Sequence, residues 1–142
     1  MNSLISELEN ELLPKFTDWA KRLRAECPNV QAKVFSYSVG SLTPYQGYII
    51  GIDCLLADVP DDRPDNVALG VDVQHLTTTP LIDADVCWGH PSGHVEAEFS
   101  FDPQEVSDDV LNNLYADLPR LYDALLASAK RGKPSDWDTG HA

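Results

Sequence analysis

Carboxylates recur at alternating positions through the middle of this chain: Asp53, Asp72, Asp83 and Asp85, and Glu96 and Glu98. In an extended strand successive side chains point to opposite faces, so each of these stands opposite the apolar set of its own segment. A sheet face lined by such groups attracts cations and basic protein surfaces. The plainer alternative is an ordinary solvated face, which in antiparallel sheets is usually polar. Residues 29–101 favour the first reading, because they hold only Lys33 and Arg63 against ten acidic residues. A face that merely kept the protein soluble would be expected to mix both signs.

A second group of residues could hold a metal. Cys87, His90, His94 and Glu96 surround one short turn, and zinc takes sulfur, imidazole and carboxylate ligands. Their spacing matches no zinc motif, so these four are candidates by residue type alone. Gly89-His90-Pro91-Ser92-Gly93 also places a histidine two residues from a serine. It lacks the strand-to-helix setting that presents a hydrolase nucleophile. Paired carboxylates can move protons, but on an open sheet face little would shift their pKa values. No catalytic residue, cofactor or metal site is therefore assigned, and an enzyme is the less favoured reading.

The elements that position these groups follow from hydrophobic periodicity. Leu4, Ile5, Leu8, Leu12, Phe16, Trp19, Ala20, Leu23 and Cys27 share one face of an N-terminal helix, with Ser3 as N-cap and Pro28 as terminator. Pro14 should kink or divide that helix. Strands are expected over 30–39, 45–57, 67–76, 82–88 and 94–101. In 30–39 the inward face is ambiguous, because Phe35, Tyr37 and Val39 fall on one parity and Val34 on the other. Gly47, Gly51 and Gly70 fall on the polar face, where glycine marks a bulge, strong coiling or a close approach.

The last hairpin has a predicted register. A four-residue loop, His90 to Gly93, would pair Trp88 with Val95, Val86 with Ala97, Ala84 with Phe99 and Ile82 with Phe101. It would set Cys87 opposite Glu96 and Asp85 opposite Glu98. A second helix starts at Asp102 or at Ser107 and runs to Arg131, with Gly132 and Pro134 beyond it. Pro119 should kink or break it. The expected fold is α+β: a meander of about five antiparallel strands, with the N-terminal and C-terminal helices packed on one face.

Residues 1–132 then form a single domain and 133–142 a mobile tail, in which Trp137 is a possible docking anchor. The net charge of −13 disfavours nucleic acid and anionic lipid as partners. No apolar run reaches the ~20 residues that span a bilayer. Three scattered cysteines do not read as a disulfide framework, and the acidic N-terminus is unlike a signal peptide, so the cytoplasm is the expected compartment. The functional expectation is a non-enzymatic, acidic protein-binding module (an inhibitor, immunity-type protein or small chaperone) facing a basic partner, with a homodimer possible. The alternatives are a small-ligand or metal-binding domain built on the 87–96 hairpin, or a small hydrolase.

Overall fold

A computed structural model of the protein describes residues 2–40, 46–60, 64–89 and 97–135. The order is α1 (Asn2–Glu26), β1 (Val30–Val39), β2 (Gly47–Leu56), β3 (Asn66–Gln74), β4 (Leu81–Gly89), β5 (Phe99–Glu105) and α2 (Asp108–Arg131). The strands form one antiparallel sheet in the order β1-β2-β3-β4-β5, each paired with its sequence neighbour. This is the expected α+β meander between two helices.

Period-two burial fixes which face of the sheet is inside. Ile50, Ile52 and Cys54 on β2, Val67, Leu69, Val71 and Val73 on β3, and Ile82, Ala84, Val86 and Trp88 on β4 are buried beneath the helices. On α1 the spacing of Leu8, Leu12, Phe16, Trp19 and Leu23 makes one buried stripe, and it rests on β1 and β2. On α2 Leu111, Leu114, Leu118, Leu121 and Leu125 do the same over β3, β4 and β5. The helices meet where Trp19 packs on Tyr122, ring centroids 4.8 Å apart, and where Lys130 pairs with Glu26 at 3.5 Å.

Several local expectations are corrected. Ser3 lies inside α1, which begins at Asn2, so it is not the N-cap. Neither proline divides its helix: Pro14 and Pro119 both face solvent on continuous helices. The carbonyl deprived of its donor by Pro14 belongs to exposed Asn10, where water can serve it. α2 does not start at Asp102, because Asp102 to Glu105 continue β5. Its N-cap is Ser107, whose hydroxyl accepts from the Val110 N–H at 3.1 Å, with Asp108 and Asp109 in the first turn. Removing that acceptor by Ser107→Ala should cost about 1 kcal/mol in a denaturant titration. At the other end Gly132 adopts φ 78° and donates to the Ser128 carbonyl.

The largest correction concerns the last hairpin. Val86 pairs with Phe99, Ala84 with Phe101 and Asp85 with Ser100, a slip of two residues from the expected register. A slip of two keeps every side chain on its face, so alternation alone could not distinguish the alternatives. Between Ala84 and Ile82 the register shifts again, and Ile82 pairs with Gln104. β5 thus absorbs one extra residue beside Pro103, which is tolerated because β5 is an edge strand.

Candidate functional site

The face of the sheet away from the helices divides into an acidic half and an aromatic half. Antiparallel register sets Asp72 of β3 directly opposite Asp83 of β4. Asp85 follows two residues along the same strand and therefore on the same face. No basic residue occurs on β3 or β4. Among the described residues none of these three carboxylates forms an ion pair. Partial burial lifts all three pKa values. Asp83 is pushed up to about 6, by burial first and then by the carboxylates of Asp72 and Asp85. Asp85 is raised by burial and by Asp72, and Asp72 by burial against an opposing hydrogen bond from Gln74.

The aromatic half lies on β1 and β2. Phe35 and Tyr37 share the open face with ring centroids 5.9 Å apart. Phe35 pairs with Gly51, and Gly51 with Gly70, so one cross-strand row has no side chain on its two central strands. The Phe35 ring occupies that space: a Cβ at Gly51 would lie 2.8 Å from its Cζ and closer still to the Leu69 carbonyl oxygen. Gly51 therefore serves close approach. At Gly70 a Cβ would meet only the Ile49 side chain, at 3.4 Å.

Tyr37 is 55% exposed and stands between two shallow concavities. One, of about 390 Å³, is lined by Tyr37, Val39, Ile49, Asp72 and Gln74 among others. The second, of about 410 Å³, is lined by Lys33, Phe35, Tyr37, Asp53 and Ala68 among others. Both are open grooves and not enclosed pockets.

The remaining residues picked from sequence are not gathered into this cluster. Asp53 pairs across the sheet with Lys33 and accepts a hydrogen bond from Asn66 Nδ2 at 3.1 Å. Glu98 is drawn into a separate structural contact. Its Oε1 lies 3.0 Å from Arg131 Nη2, and its Oε2 accepts from the Ser135 N–H at 2.9 Å. Its side chain is 8% exposed. The expected opposition of Asp85 and Glu98 is therefore wrong, because the register slip places Ser100 there. Glu96, His90 and His94, the loop His90 to Gly93 and Trp137 lie outside the described residues.

Cys87 is half-buried on the open face of β4, its thiol pushed up by burial and by Asp85 and Glu98. Burial also raises Cys27, and pushes Cys54 up to about 12. All three are free thiols, and none has the lowered pKa of a nucleophile. Among the described residues no group of three or more histidine, cysteine and carboxylate side chains could hold a metal ion. Among the same residues no helix is long and apolar enough to cross a membrane.

Sequence reading missed the aromatic half. The available signal was the coincidence of strand glycines at 47, 51 and 70 with aromatics at 35 and 37, since an aromatic laid over a strand glycine is a recurrent pairing. No protein-family model, curated protein or solved structure matches this chain.

Proposed function

We infer that this chain is a protein-binding module whose open sheet face takes a basic partner. One observation carries the reading: Asp72, Asp83 and Asp85 are crowded together, partly desolvated and without a cationic neighbour among the described residues. Such an arrangement works against folding, and groups that cost stability concentrate where function requires them. The adjacent groove gives the partner's chemistry more detail. Tyr37 and Ile49 offer an aromatic ring and an apolar wall next to Asp72. A guanidinium fits this combination, stacking on the ring while its fork meets the carboxylate.

The reading favours binding over catalysis. The groove beside Asp72 is open to water, the Cys87 thiol near Asp85 is raised and so not activated as a nucleophile, and no metal set stands beside these carboxylates among the described residues. Charge also assigns a role in kinetics. A compact patch of like charge steers an oppositely charged surface and raises its association rate.

The test uses three immobilised baits on a lysate of the native host: the wild type, Asp72→Asn with Asp83→Asn, and Asp108→Asn with Asp109→Asn. The last pair neutralises an equal charge at the start of α2. A partner retained by the wild type and the helix variant but lost from the sheet variant supports the assignment. A partner retained equally by all three places the interface elsewhere.

A further inference from the structure

β1 and β5 are the two edges of the sheet, and they are built differently. β5 is blunted by Pro103, a register shift and the charges of Asp102 and Glu105, all devices that discourage further pairing. From Val34 to Val39, β1 reads Val-Phe-Ser-Tyr-Ser-Val, with no proline, glycine or charge. Tyr37 and Val39 are 55% and 47% exposed.

Three contacts show which backbone groups of β1 point outward. The Ala57 N–H donates to the Asn29 carbonyl, so odd-numbered positions bond towards β2. The Val30 N–H turns away to the Cys27 carbonyl, and the Ala32 carbonyl accepts from Arg24 Nη1 at 2.7 Å. Even-numbered positions therefore face outward, and the open ladder consists of Val34, Ser36 and Ser38. Arg24 closes it at Ala32, and the positive φ of Gly40, 63°, ends the strand at the other side. The usable window, 33–39, is symmetric about Ser36.

We propose that two copies of this chain pair antiparallel along β1, centred on Ser36, and join their sheets into one. In this register Ser36 faces Ser36 of the second copy and Val34 faces Ser38, giving about six hydrogen bonds across the two-fold axis. Phe35 of each copy then stands opposite Tyr37 of the other. These are non-hydrogen-bonded positions, where Cα atoms approach to about 4.5 Å and aromatic pairs contribute most. This pairing does not depend on the acidic face binding a partner.

Charge argues for a second copy as the occupant. A basic partner is drawn to the carboxylates of β3 and β4, whereas β1 carries no carboxylate and its 34–39 stretch is uncharged and complementary to itself, with Lys33 of each copy at the outer end of the window opposite Val39. In the dimer the two β3 strands are separated by five strand spacings, about 24 Å. That exceeds the ~8 Å Debye length at physiological salt, so the acidic clusters repel little. Seven residues span only about 23 Å, and the contact falls well below the ~800 Å² per partner of a standard interface. The dimer is therefore reversible, and it strengthens with salt because the chain carries −13.

Sedimentation velocity of the full chain from about 10 µM to about 1 mM should show a monomer–dimer equilibrium that shifts to dimer with added salt. Ser36→Pro removes an outward N–H without touching the β1–β2 ladder and should weaken the dimer at least about tenfold. A register test uses Ser36→Cys and Ser38→Cys, each in a Cys87→Ser background. The two copies of position 36 would lie about 5.5 Å apart at Cα, within disulfide range, and those of position 38 about 14 Å apart. Mild oxidation should cross-link Ser36→Cys and leave Ser38→Cys single. A wild type monomeric throughout, a dimer that survives Ser36→Pro, or equal cross-linking of both variants would each overturn the proposal.

Discussion

Asp83→Asn is expected to stabilise the folded protein at neutral pH, and the gain should disappear as the pH falls. Asp83 is half-buried, faces Asp72 across the strand pair and has Asp85 two residues away, so its charged form is disfavoured. Its folded pKa, about 6, lies above the ordinary 3.8 it has when unfolded. Between these values the folded chain holds more protons than the unfolded one, so stability rises as pH falls through this window. Above about pH 6 both states are ionised and the folded state carries the full penalty; below about 3.8 both are protonated and nothing more is gained.

The shift sets a ceiling of about 3 kcal/mol, and partial exposure with solvent screening reduces it to about 1–2 kcal/mol. Thermal melts of wild type and Asp83→Asn at pH 7.5 should differ by roughly 3–8 °C, the variant being higher. At about pH 4 the curves should converge. A wild type as stable as the variant at pH 7.5 would mean the carboxylates are too well solvated to repel one another.

Gly51→Ala should act in the opposite direction. The new Cβ would be forced against the Leu69 carbonyl oxygen and the Phe35 ring. A ring can turn aside, but a backbone carbonyl moves only if β2 and β3 separate. Overpacking of this kind costs about 1–3 kcal/mol, and a shifted ladder adds to it. The chain-entropy benefit of replacing glycine recovers about 0.4–1 kcal/mol. Gly70→Ala is the matched control, since the two glycines are directly paired and only a flexible Ile49 methyl lies near a Cβ at 70. Urea titrations should give a clear loss for Gly51→Ala and little change or a small gain for Gly70→Ala. Equal effects would remove the argument that the Phe35 row is closely packed.

These two glycines show where sequence reading stops. Alternation placed both on the open face, and that placement holds, because period two is a local property of extended backbone. Which of the two is crowded depends on the approach of β3 to β2 and on the rotamer of Phe35, and neither is encoded in spacing. The same limit governs the last hairpin. Parity required Val86 and Phe99 to share the core face, and they do. The slip of two residues preserves parity, so the sequence could not exclude it, and with it went the expected Asp85–Glu98 pair. Asp72 opposite Asp83 could not be reached that way, because the register between β3 and β4 depends on how the connection Thr77 to Pro80 is spanned. The helices were more legible, since their stripes, the Ser107 alternative and Gly132 are signals carried within one segment.

The central claim is that the carboxylates on β3 and β4 form the partner interface, and a binding titration tests it most directly. A partner captured on the wild-type chain is titrated against wild type and Asp72→Asn with Asp83→Asn, at about 50 mM and about 500 mM salt. Opposed charges at an interface couple strongly, so the double variant should bind at least about tenfold more weakly at low salt. The gap should narrow at high salt, where screening already weakens the wild type. Equal affinity of the two proteins at low salt, with the variant folded and more stable, would contradict the account and leave this face an ordinary solvated surface.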